Sequence, residues 1–134
     1  MINGLSHVSI VVPDLEAAAR ELKAKYGLEV GAPMENAEQG VRLAYIDLGN
    51  GKIELMEPLR PDSPVSKFLE RNPKGGIHHL CLEDVETAAH ALAQNGVRVL
   101  GEGRPQRNVA GEAIAFIHPG DFLGALVELE QHNV

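Results

Sequence analysis

The chain has a single cysteine, Cys81, and no tryptophan. One cysteine excludes an intramolecular disulfide, so packing alone must hold the 134 residues together, and a reducing compartment, the cytoplasm, is expected. Within the apolar stretch around it, Cys81 reads as a buried, inert thiol. With only two tyrosines and three phenylalanines, the core has to be assembled from Val, Leu, Ile and Ala. No apolar run approaches the ~20 residues that span a bilayer. The opening MINGLSHVSIVV also lacks a basic segment ahead of a long apolar one, so no membrane association is expected. Positive charge is scarce as well. Twelve Lys and Arg stand against 19 Asp and Glu, a net charge of −7. No basic cluster dense enough to track a phosphate backbone is present, which argues against nucleic acid as a partner.

What is there is said nearly twice. HVSIVV reads as a strand, and PDLEAAARELKAKYG as a helix entered at Pro13–Asp14 and stopped at Gly27. LEVGA, VRLAYIDLG and GKIELMEPL follow as three short strands punctuated by Gly and Asn. The second half repeats the order: HLCLE, then the helix DVETAAHALAQNG, then VRVL, EAIAFIHPG and GALVELE. Asp14-Leu15-Glu16 recurs as Asp84-Val85-Glu86, and AYIDLG at 44–49 recurs as AFIHPG at 115–120. The ELM of residues 54–56 returns as the ELE of 128–130. A βαβββ module is therefore present twice, over 5–59 and 77–131, within a single domain spanning 1–134. Residues 60–76 connect them, with a short helix expected over 65–71 between prolines.

The repeat singles out a set of residues. His7 and His79 open equivalent strands, and Glu54 and Glu128 sit between apolar neighbours in equivalent closing strands. Successive strand residues point to opposite faces, so in GGIHHLCLE only one of His78 and His79 shares a site with its counterpart. The alignment selects His79. A carboxylate in the middle of an apolar strand costs about several kcal/mol unless something compensates it. Two imidazoles and two carboxylates converging across a pseudo-twofold axis would suit a divalent ion such as Mn²⁺, Co²⁺, Ni²⁺, Fe²⁺ or Zn²⁺.

The stretches HVSIVVPDLEAA, EQGVRLAYIDLGNGKIELMEPL, SPVSKFLERN, GGIHHLCLE and FIHPGDFLGALVELEQ resemble the vicinal oxygen chelate (glyoxalase) superfamily, and within it the methylmalonyl-CoA epimerases. The resemblance covers nearly the whole chain. It implies an α+β fold of two βαβββ modules curled around a metal-containing cleft, commonly in a homodimer. It implies metal ligands at His7, Glu54, His79 and Glu128, and a cobalt ion first, with Mn²⁺, Ni²⁺ or Zn²⁺ as substitutes. The implied substrate is an acyl-CoA thioester of propionate metabolism, whose (2R) and (2S) forms are interconverted through an enolate.

Two bases on opposite faces complete such a proton transfer. Glu128 is expected to be one. Some relatives carry a second Glu just past E-Q-G-V, where this chain has Leu43. Glu54, the symmetry mate of Glu128, is the expected replacement, with Glu38, Glu112 or a metal-bound water as alternatives. Arg60, Lys67, Arg71, Lys74, Arg104 and Arg107 are candidate contacts for CoA phosphates, and the Gly-rich segment 101–112 reads as a loop able to close over substrate. His118 reads as a structural turn residue, and His90 and His132 as surface. A glyoxalase I-type thiohemiacetal isomerase, or a non-enzymatic sequestering member of the superfamily, stands as the alternative.

Overall fold

The structure is a computed structural model describing residues 2–84, 88–100 and 106–131. The element order is β1 (Ile2–Val11), α1 (Leu15–Tyr26), β2 (Met34–Asn36), β3 (Val41–Asp47), β4 (Lys52–Pro58), α2 (Pro64–Arg71), β5 (Gly76–Asp84), α3 (Ala88–Gln94), β6 (Gln106–Arg107), β7 (Ala113–Ile117), a 3-10 turn (Pro119–Asp121) and β8 (Val127–Gln131). Two rounds of βαβββ separated by one short helix are recovered, in an α+β fold with a mixed sheet and few helices.

The chain forms two compact units, 8–78 and 1–7 with 79–134. Their boundary runs through β1 and β5. The repeat frame is a relation between two stretches of sequence, whereas the units are a relation in space.

In the 8–78 unit, β2, β3 and β4 form antiparallel ladders. Helix α1 starts where the Asp14 carboxylate accepts the Ala17 N–H and ends at Gly27 in the left-handed region. Alternation sends Ala44, Ile46 and Leu55 toward Leu15, Ala18 and Leu22 of this helix. The opposite face gathers Val11, Val41, Leu43 and Met56 with Val65 and Phe68. Leu43 is a core residue of that cluster, aligned with Met56 across the ladder.

In the other unit, β5 and β8 run parallel, and β7 is antiparallel to β8 and β6. Leu82, Val127, Leu129 and Ile117 pack beneath Ala89 and Leu92 of α3. The opposite face of β5 and β8 is thereby left to polar side chains.

Among the strand boundaries that depart from the sequence pattern, three have a local cause. LEVGA forms no ladder: Leu28 and Val30 dip toward the α1 core, and Gly31 N–H donates to Tyr45 O at 2.9 Å. Pro33 has no N–H to offer, and pairing begins after it, at Met34. VRVL contributes a single bridge, Val99 to Ile117, because Arg98 turns its backbone N–H and guanidinium to Asp121. β1 begins at Ile2 rather than His7; its early residues, with Asn3 and Gly4 among them, carry little strand propensity of their own.

Candidate active site

Three of the four expected ligands belong to one unit. His7 lies on β1, His79 on β5 and Glu128 on β8, at 3%, 5% and 6% exposure. His79 Nε2 is 2.7 Å from Glu128 Oε2, and His7 Nε2 is 3.9 Å from the same oxygen. The two rings meet edge to face with centroids 5.9 Å apart. One donor atom from each of the three residues falls within 4.8 Å of the others. The register explains why. Cys81 and Phe116 flank Glu128 across the parallel and antiparallel ladders, and the Phe116 ring edges against His79 at 5.7 Å. His79 and Glu128 are thus held between a core on one side of the sheet and a packed aromatic beside them. His78 points the other way, half-buried with its ring against Phe68 at 5.3 Å.

Glu54 belongs to the other unit, 6% exposed. The Ser9 hydroxyl donates to its Oε1 at 2.6 Å, and the Tyr45 hydroxyl donates to its Oε2 at 2.8 Å. Tyr45 is also its direct cross-strand partner. Two hydroxyl donors therefore fix the carboxylate in one orientation.

Glu130 was not singled out by the sequence, and the structure brings it beside His7. It is buried two residues beyond Glu128 on the same face of β8. Its Oε2 accepts from the Cys81 thiol at 3.2 Å and the Ser6 hydroxyl at 3.4 Å, and lies 3.9 Å from His7 Nδ1. Burial pushes its carboxyl above the ordinary value, with Cys81 and His7 pulling the other way. The strict alternation in VELE is the signal that could have found it. The Cys81 thiol is pushed far up, first by burial and then by Glu128 and Glu130, so it stays protonated and inert.

The donor set fits a divalent ion. Two imidazoles and a carboxylate converge, and a second carboxylate is buried behind one of the imidazoles. Two buried carboxyl groups in so small a space are costly to ionise without positive charge nearby. Nitrogen and oxygen donors together suit first-row divalent metals.

Among the remaining candidates, Glu38 is exposed and Glu112 half-buried beside Asn108. Lys67, Arg71 and Lys74 are exposed; Arg60 pairs with Asp62 at 2.9 Å, and Arg107 donates to Gly111 O. His118 accepts the Gly120 N–H and caps the 3-10 turn, a structural role. His90 is exposed on α3. Arg104, His132 and the first part of the 101–112 segment lie outside the described residues. Among the described residues, no helix is long and apolar enough to cross a membrane.

Residues 6–116 match the model of the glyoxalase/bleomycin resistance protein/dioxygenase superfamily. The chain is 51% identical over 133 residues to the ethylmalonyl-CoA/methylmalonyl-CoA epimerase of Cereibacter sphaeroides, covering 98% of this chain and 99% of that one. Its structure superposes on a crystal structure of methylmalonyl-CoA epimerase from Mycobacterium tuberculosis with a TM-score of 0.88 at 32% identity, over 99% and 90% of the two chains. A methylmalonyl-CoA epimerase in complex with methylmalonyl-CoA and NH4+ gives a TM-score of 0.85 at 36% identity, over 100% and 97%.

Proposed function

The chain belongs to the glyoxalase/bleomycin resistance protein/dioxygenase superfamily, among its methylmalonyl-CoA epimerases, and on that premise we propose that it interconverts (2R)- and (2S)-methylmalonyl-CoA. The reaction removes the proton between a thioester and a carboxylate and returns one on the opposite face. The observation that carries this reading is the buried convergence of His7, His79 and Glu128 in a chain with near full-length identity to an epimerase.

His7, His79 and Glu128 would hold a divalent metal, Co²⁺ first, and Glu54 would serve as a further ligand, directly or through water. When bound, such an ion supplies Lewis-acid stabilisation for negative charge developing on the substrate's oxygens. Each tenfold in rate asks about 1.4 kcal/mol of the site. Glu128 takes the proton from one face, its carboxylate aimed by the two flanking strands. Glu54, oriented by Ser9 and Tyr45, serves the other face in place of the Glu that Leu43 replaces. Leu43 itself is packed in an apolar cluster and has no group with which to move a proton. The lone, buried Cys81 is compatible with a cytoplasmic enzyme, and the family resemblance supports a homodimer, which light scattering would test.

The experiment is α-proton exchange in D₂O, with chelated protein given back Co²⁺ or Mn²⁺ and offered methylmalonyl-CoA and, separately, ethylmalonyl-CoA. Metal-dependent washout with loss of configuration is expected for the methyl substrate. Absence of exchange with metal bound would sink the epimerase reading and direct the search to glutathione thiohemiacetals. Glu128→Gln and Glu54→Gln should each block epimerisation; a fully active Glu54→Gln protein would remove Glu54 from the base role.

A further inference from the structure

An imidazole can bind a cation only through a ring nitrogen that carries no proton. For His7, the nitrogen facing Glu128 is Nε2. The proton must then sit on Nδ1, and something must hold it there. Ser6 Oγ is 3.0 Å from Nδ1. A hydroxyl is both donor and acceptor, so Ser6 could pin either tautomer, depending on where its own hydrogen points. Glu130 decides that. Its Oε2 lies 3.4 Å from Ser6 Oγ and takes the hydroxyl hydrogen, which turns the Ser6 lone pairs toward Nδ1–H. The same carboxylate oxygen accepts the Cys81 thiol at 3.2 Å, which fixes its position from the neighbouring strand.

Resting on the metal-centre reading above, we propose that Glu130 is a positioning residue that sets the tautomer of His7 through Ser6, leaving Nε2 bare for a metal ion. Partners of this kind, placed behind metal-binding histidines, fix ring orientation and raise ligand basicity. Here the carboxylate acts through an interposed hydroxyl contributed by the residue next to the ligand itself.

Two measurements test it. Long-range ¹H–¹⁵N spectra of the metal-free protein report the His7 tautomer directly. The wild-type ring should be protonated on Nδ1, and Ser6→Ala and Glu130→Met, which removes the acceptor of the Ser6 hydroxyl, should shift it toward the Nε2-protonated form. Competition with a chromogenic chelator for Co²⁺ should then show about 10- to 100-fold weaker binding in both variants. Cys81→Ser keeps a donor to Glu130 and should retain both the tautomer and the affinity. A wild-type His7 protonated on Nε2 would overturn the proposal without any variant having to fold. So would folded variants whose Co²⁺ affinity stays within twofold of wild type. A wild-type ring with bare Nε2 in a protein that binds no Co²⁺ would instead overturn the metal-centre reading and leave the relay standing.

Discussion

His79 Nε2 and Glu128 Oε2 are 2.7 Å apart, close enough that a proton lies between them. A metal ion and a proton cannot share Nε2, so loading the site has to move that proton, to solvent from an imidazolium or a carboxyl, or to Nδ1 of a neutral ring. Calorimetric titration with Co²⁺ in buffers of different ionisation enthalpy should show release of about one proton per ion at neutral pH. A heat independent of the buffer would mean that the proton passes to Nδ1 of a neutral ring and is not released.

The hydroxyls on Glu54 make a second prediction. Ser9 is fully buried, and its bond to Oε1 is short; removing it leaves a buried carboxylate with one donor fewer. Ser9→Ala should cost ~1–3 kcal/mol in urea unfolding, and Tyr45→Phe a comparable or smaller amount. Each should also lower epimerase turnover if Glu54 is a base, because its carboxylate is no longer held in one orientation. Unchanged turnover in both would detach the clamp from catalysis.

Two glycines should respond oppositely to alanine. Gly75, just before β5, has φ +90, and a Cβ there would collide with the Val11 carbonyl oxygen. Backbone has nowhere to go, and Gly75→Ala should destabilise by at least ~1–3 kcal/mol. At Gly4 a Cβ meets Glu83 Oε2 at 2.9 Å, the far end of a side chain that can swing aside, so Gly4→Ala should be nearly neutral. Equal losses at both sites would contradict this distinction.

Asp121 receives the Arg98 backbone N–H at 2.7 Å and its guanidinium at 2.9 Å. Those bonds hold its carboxyl at about 2, below the ordinary 3.8. The folded value is depressed, so its contribution is fully present above the ordinary value and is lost as pH falls through about 2. Thermal melts of wild type and Asp121→Asn should therefore differ by a constant amount from pH 5 to 8 and converge toward pH 2. A gap that persists undiminished in strong acid would assign the effect to shape rather than charge.

The element order and the pairing of His7 with His79 and Glu54 with Glu128 were legible because duplication leaves the same residue types at the same strand positions. Periodicity also identified α1 and its caps. Two short strands were misplaced: Pro33, directly after LEVGA, delays one ladder to Met34, and Asp121, 23 residues further on, draws Arg98 out of another. Glu130 went unnoticed because its counterpart in the first repeat is Met56, a core residue. Symmetry finds what the two halves share and passes over what only one of them acquired.

Ser6 and Glu130 are 124 positions apart, and the unit that contains them is built from both the first residues and those after 78. The 8–78 unit is contiguous. On the ribosome it can assemble as soon as its last strand emerges, while the segment bearing Ser6 and His7 waits for β8 to be made. Contacts so far apart along a chain are slow to close. The centre that would bind metal thus cannot form before β8 is made, and a nascent chain interrupted before β8 would carry His7 without Glu128 or Glu130.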